Sequence, residues 1–389
     1  MRLACSSSAH HSARTYQIIF SYLRLPAMLA SSSEPIKSFS AHGRGRGVPR
    51  GYKRTPTCYP LVNIFSNMSF PIFNFNSTAE DVASAFAEQI KGKTVLVTGT
   101  ALTSIGFTTA RAIAQYAGLV IVTGRSADRL KLVKKAIESE LPSARIRPLV
   151  LDLSSQAAVR KAAAEVNAYA EPLDVLIHNA AAEMGSFVLT EDGVESQFAA
   201  AQVSPFLFTK LVLPKLLASP HPRVIFVSSV AHTFGTIEDW DVLLHPARHE
   251  KAYTPMGAYA HAKIANVLMA KELTKRSGGR VQSFSLHPGA IHTSADQNPG
   301  TMKTLQDAGI YTADGKPNPE KMQWKTRNEG AATTIAAAFD PRLEGKGGAY
   351  LCDSALADDQ VSEFASNMAN AKKLWDVTEE ILGEKFVIN

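Results

Sequence analysis

Tyr259 and Lys263 stand four residues apart in Tyr-Ala-His-Ala-Lys, inside a stretch with helical period. At that spacing the two side chains share one helical face, about one turn apart. A cation held there favours the phenolate and draws the phenol from its usual pKa of roughly 10 towards neutrality, where it can exchange protons. Upstream, Val227-Ser228-Ser229 ends an apolar run and brings a hydroxyl towards the same region. An ordinary helix surface also contains Tyr-x-x-x-Lys pairs, so the meaning of this one depends on the elements that position it.

From residue 80 the chain alternates β-rich apolar runs with helical segments. The strand-like runs cover 93–99, 119–125, 146–153, 174–180, 223–229, 281–289 and 347–353. Helical period marks 82–89, 105–116, 128–140, 154–169, 194–217 and 255–276. Near-continuous apolar strands imply burial on both faces, hence a parallel sheet. The pattern predicts an α/β fold: a single Rossmann-type doubly wound parallel sheet of about seven strands, with helices on both faces. Such sheets bind ligands beyond the carboxyl ends of their strands. Every candidate residue falls at such an end.

After the first strand, Gly99 and Gly106 bracket a turn into a helix, with Ser104 and Ile105 at its start. Helix N-terminal amides of this kind can hold a pyrophosphate, although the usual three-glycine spacing is not met. The second strand ends at Arg125, with no carboxylate for a ribose 2′-hydroxyl; a guanidinium suits a 2′-phosphate, favouring NADP(H) over NAD(H). Asp152 and Leu153 end the third strand, where Asp152 can meet an adenine amino group or cap the following helix. Asn179 and Ala180, after the fourth, are small enough to let a cofactor lie close. Pro288, Gly289 and Thr293 follow the sixth and can meet a nicotinamide carboxamide.

These residues together resemble the short-chain dehydrogenase/reductase superfamily over about residues 85–385. The 229–259 interval, Ser-Leu-His-Pro-Gly and Gly345-Lys-Gly-Gly-Ala-Tyr350-Leu351 are most similar to its retinol dehydrogenase-like and WW-domain-oxidoreductase-like branch, in fungal forms. The resemblance implies an NADP(H)-dependent oxidoreductase interconverting an alcohol with an aldehyde or ketone. Ser229 would bond the substrate oxygen and Tyr259 would be the general acid or base. Lys263 would lower the Tyr259 pKa and hold the nicotinamide ribose. One departure stands out: Ala201 occupies the place of an Asn that supports a proton-relay water in many members. Gln202 is the neighbour that can rebuild it, and a cofactor-binding sensor or scaffold with little turnover is the alternative. The resemblance also allows a homodimer, with helices flanking Ser204 pairing across a two-fold axis.

Bulk properties bound the rest. At 45% hydrophobic and 20% charged residues, the 389-residue chain can bury a large core. Nine of its 41 Lys/Arg but one of its 35 Asp/Glu lie in residues 1–79, so the net +6 belongs to that tail. The body then carries −2, so the basic pI of the whole chain is no argument that the body binds nucleic acid. Three cysteines and no His/Asp/Glu cluster give neither a disulfide framework nor a metal site. The Ser/Arg-rich, acid-poor start suits a mitochondrial transit peptide; translation from Met68 would instead leave a cytoplasmic protein. The apolar patch at 16–30 is too short and charged to span a bilayer. His232, His261 and His287 are expected at the surface or behind the site. Trp240, Tyr311 and Met322 are expected around an apolar substrate.

Overall fold

Strands of branched aliphatic residues run through the middle of the molecule, and they set the position of everything else. The computed structural model describes residues 70–293, 296 and 298–388. The transit-peptide and start-site readings fall on residues 1–69, outside those described. Six parallel strands follow one another along the chain: β1 (Thr94–Val97), β2 (Leu119–Gly124), β3 (Ile146–Val150), β4 (Val175–His178), β5 (Arg223–Val227) and β6 (Gln282–His287). β7 (Ala290–Ile291) and β8 (Trp324–Lys325) form a separate two-stranded parallel sheet. β9 (Tyr350–Cys352) and β10 (Ala355–Leu356) complete the main sheet, whose order is β10-β9-β6-β5-β4-β1-β2-β3. Strand order reverses between β1 and β4, which makes their carboxyl ends the switch point.

The main sheet has eight strands, one more than the pattern predicts. The extra strand is antiparallel β10, reached through Asp353 and Ser354 with φ of 50° and 63°. Two successive left-handed residues make the tight hairpin turn that Asn-Gly usually signals. Neither residue is glycine, so the turn was not legible, and each costs about 1–2 kcal/mol in this conformation.

The longer helices are α1 (Ala79–Ala85), α2 (Ile105–Ala114), α3 (Ala127–Glu140), α4 (Gln156–Asn167), α5 (Ser204–Leu217), α6 (Pro255–Arg276), α7 (Pro299–Asp307), α8 (Arg327–Phe339) and α9 (Met368–Leu382). Two of the expected helices are broken. The leading one splits at Phe86, whose ring packs against Phe70 and Phe73. The expected helix over 194–217 contains a π-turn at Ala199–Val203 before α5 begins. Pro205 explains it: lacking an N–H, it leaves the Ala201 carbonyl four residues back without its helical donor.

One apolar cluster lies between the sheet and α1, α2 and α8; another is formed with α4 and α5 on the opposite face. Along α5 Pro214 is the one exposed residue. Phe206 meets Trp375 of α9 and Phe386 edge-on, at 4.7 and 5.2 Å between ring centres. The chain's own C-terminal region thus covers the part of α5 around Phe206.

Candidate functional site

Ser229 follows β5, while Tyr259 and Lys263 lie on α6, begun by Thr254 as N-cap and Pro255. The fold brings the three together. The Ser229 hydroxyl hydrogen-bonds the Tyr259 phenol and also accepts from the Ala231 N–H at 3.2 Å. Lys263 is buried, with its Nζ donating to the Val227 carbonyl at 2.9 Å and lying 5.4 Å from the centre of the Tyr259 ring. Ser228 is spent elsewhere, donating to the Lys263 carbonyl at 2.8 Å and so tying β5 to α6.

The expected effect of Lys263 on the phenol needs correction. Burial raises the Tyr259 pKa; the Ser229 hydrogen bond opposes this and the Asp296 carboxylate adds to it. The ammonium faces the ring and the Val227 carbonyl, and burial pushes its own pKa down to about 8. At neutral pH the pair is a protonated phenol beside a costly buried cation.

The turn between β1 and α2 fits a dinucleotide. Gly99 has φ of 72°, and a Cβ there would sit 2.9 Å from the Ala180 backbone. A Cβ on Gly106 would sit 2.5 Å from both the Asn179 amide nitrogen and the Gly99 carbonyl. Ser104 caps α2, accepting from the Phe107 N–H at 3.1 Å and donating to the Gly99 carbonyl at 3.0 Å, and Ile105 opens the helix. The Asn179 side chain donates to the Thr98 and Gly99 carbonyls at 2.9 and 3.2 Å, so it holds the turn rather than reaching outward. Ala180 donates its N–H to the Thr98 hydroxyl at 3.0 Å. Because backbone blocks the space, Gly106→Ala should lower stability by about 1–3 kcal/mol and weaken nucleotide binding. Thermal melts and an NADPH titration would show both.

Arg125 is exposed, and no described carboxylate pairs with it. Asp152 accepts from the Ser154 N–H and hydroxyl with one oxygen, at 2.9 and 2.7 Å, while Ser155 caps α4. Leu153 turns its side chain into the core, and its carbonyl accepts from Ser204 at 2.7 Å. Pro288 is buried, and Gly289 has φ of 97°. The Thr293 N–H donates to Asp296 at 2.7 Å. Among the described residues no cluster of His, Cys, Asp or Glu could hold a metal ion, and no helix is long and apolar enough to cross a membrane.

The short-chain dehydrogenase family profile matches residues 93–239. Retinol dehydrogenase 11 of Mus musculus is 33% identical over 296 residues, 76% of this chain and 88% of its own. The chain belongs to the short-chain dehydrogenase family. Another relative is the chloroplastic short-chain dehydrogenase TIC 32 B of Brassica napus, 33% identical over 79% of this chain and 93% of its own. The WW domain-containing oxidoreductase of Gallus gallus is likewise 33% identical, over 80% of this chain and 73% of its own. Among solved structures, an uncharacterised protein of Mycobacterium paratuberculosis superposes with a TM-score of 0.58 at 26% identity, over 77% of this chain and 98% of its own. A short-chain dehydrogenase of Escherichia coli complexed with NADPH has a TM-score of 0.52 at 21% identity, a likeness of fold, over 69% of this chain and 99% of its own.

Against the family pattern, the position of Ala201 becomes clear. Its carbonyl, orphaned by Pro205, accepts from the Asn266 side chain at 2.8 Å. Asn266 stands three residues after Lys263, hence on the same face of α6, and is buried. This residue was missed, and its spacing from Lys263 was the available signal. Gln202, the expected substitute, turns towards α9 and donates to Thr378 at 3.2 Å. It therefore cannot rebuild the relay from there.

The three histidines all bond the backbone close to Ser229. His232 is buried and bonds the Ser229 carbonyl through Nδ1 at 2.7 Å. His287 accepts from the Val230 N–H at 3.2 Å, and His261 bonds the Thr236 carbonyl at 3.2 Å. Two of the expected substrate-lining aromatics are engaged in packing. Trp240 stacks near Phe364, and Tyr311 is buried, donating to Asp296 at 2.8 Å.

Proposed function

We propose that this short-chain dehydrogenase is an NADP(H)-dependent oxidoreductase that interconverts an alcohol and an aldehyde or ketone. The observation that carries the reading is the convergence of Ser229, Tyr259 and Lys263 beyond the end of β5. The nicotinamide would supply or accept the hydride. Ser229 orients the substrate oxygen towards the phenol. Tyr259 gives its proton to that oxygen in reduction and takes it back in oxidation. Lys263, freed from the Val227 carbonyl, would bond the ribose. The Gly99–Gly106 turn and the α2 N-terminus would hold the pyrophosphate, with Arg125 on the 2′-phosphate.

The test is NADPH consumption by the purified protein across a panel of aldehydes and ketones. Tight NADPH binding with no turnover would sink the enzyme reading and leave a sensor or scaffold. That second reading is favoured by one observation: Ala201 offers no side-chain amide, and its carbonyl is already taken by Asn266.

Arg125→Ala should weaken NADPH by roughly 10- to 100-fold while leaving NADH unchanged, since a charge-assisted phosphate contact contributes about 1.5–3 kcal/mol. Competitive titration of the two nucleotides measures it. The raised Tyr259 pKa also predicts opposite pH trends. Carbonyl reduction needs the protonated phenol and should hold through neutral pH. Alcohol oxidation needs the phenolate and should climb through the alkaline range. Initial rates in both directions from pH 6 to 10 decide it.

A further inference from the structure

We propose that Lys325 and Asp353 form a clamp that sets the Pro288–Gly289 turn for the nicotinamide half of the cofactor. The proposal rests on the nucleotide-binding reading above and adds positioning residues to it.

Lys325 lies far from any catalytic residue in sequence, yet the small sheet brings it directly behind the turn. β7 leaves Gly289 and pairs with β8, which ends in Lys325. The lysine stem then occupies the space where any other residue would carry its side chain: a Cβ on Gly289 would meet the Lys325 Cδ at 2.7 Å. The positive φ of Gly289 and the lysine stem are thus fitted to each other.

The far end of that stem is anchored. The Lys325 side chain is 1% exposed, and its Nζ donates to the Asp353 carboxylate at 2.6 Å. The same Nζ lies 4.5 Å from the centre of the Phe75 ring. Asp353 is itself held in the left-handed conformation at the β9–β10 turn, and the next N–H, of Ser354, donates to the Thr333 hydroxyl at 3.0 Å. Strained residues persist where the surrounding structure holds them, and this turn aims one carboxylate at one buried cation. A buried cation with a single carboxylate partner is a poor source of stability but a strong constraint on geometry. Here the constrained object is the turn on which the nicotinamide end would rest.

The experiment compares two ligands that share the adenine half of the cofactor. Wild-type protein, Lys325→Ala and Asp353→Asn are titrated with NADPH by nicotinamide fluorescence and with adenosine 2′,5′-bisphosphate by calorimetry. Thermal melts report folding. Lys325→Ala should weaken NADPH by about tenfold or more, because misplacing one contact surface by an ångström is enough for that. It should leave adenosine 2′,5′-bisphosphate unchanged. Asp353→Asn keeps the stem and loses the anchor, and should show a smaller loss with the same selectivity. Should Lys325→Ala fail to fold, Asp353→Asn decides, since its side chain is 41% exposed and tolerates the change. Equal losses for both ligands, or no loss of NADPH in a folded variant, would overturn the clamp alone. A wild-type protein that binds neither ligand would overturn the nucleotide reading and the clamp with it.

Discussion

Tyr259→Phe should lower turnover by roughly 10²- to 10⁴-fold, the range that a positioned acid or base contributes. NADPH affinity should stay near its wild-type value. The substitution removes one oxygen and keeps the ring, so the face that lies 5.4 Å from the Lys263 ammonium is preserved. It also frees the Ser229 hydroxyl from its bond to the phenol, leaving it the Ala231 N–H. The loss should therefore appear in kcat rather than in nucleotide binding. Single-turnover rates together with NADPH titration measure the two separately. Retention of more than a tenth of wild-type turnover would remove Tyr259 from the proton-transfer role.

Lys263→Met should be as damaging to activity and yet melt higher than wild type at pH 7 without nucleotide. Burial holds the Lys263 pKa at about 8 against an ordinary 10.5. The folded-state value lies below the unfolded one, so the unfolded chain binds the proton more tightly. The penalty is fully present below pH 8 and disappears as pH rises from about 8 to 10.5. A shift of this size corresponds to about 3 kcal/mol of burial cost at neutral pH. Losing the bond to the Val227 carbonyl offsets about 1 kcal/mol of the gain. Melting temperatures at pH 7 and pH 10 test the sign: the advantage of Lys263→Met should shrink at the higher pH. An unchanged advantage would mean that packing, not charge, sets it. A destabilised variant at pH 7 would refute the burial cost.

Most of the sheet was legible because its strands obey a local rule. Val95–Val97, Leu119–Val122 and Val224–Val227 are apolar on both sides, and burial on both faces needs no partner to be recognised. The meeting of Ser229 with Tyr259 and Lys263 was legible for a related reason, since strand ends and helix starts collect on one edge of a doubly wound sheet. What escaped depends on partners distant in sequence. Asn266 matters because Pro205 removes a donor and the Ala201 carbonyl looks elsewhere for one. Lys325 matters through Gly289 and Asp353, and the β9–β10 turn carries none of the residues that announce such turns. The direction of the Tyr259 pKa was also out of reach. Spacing gives the neighbour, but only packing reveals that burial outweighs it.

Phe386, stacked 4.9 Å from Trp375 and packed against Phe206, gives the chain a late closing step. The sheet can assemble while synthesis proceeds, but the part of α5 around Phe206 is fully covered only once α9 and Phe386 have left the ribosome. A chaperone that binds nascent apolar surface would have its longest opportunity there. Chains cut short before that residue would present the same surface to the proteases that clear unfinished proteins.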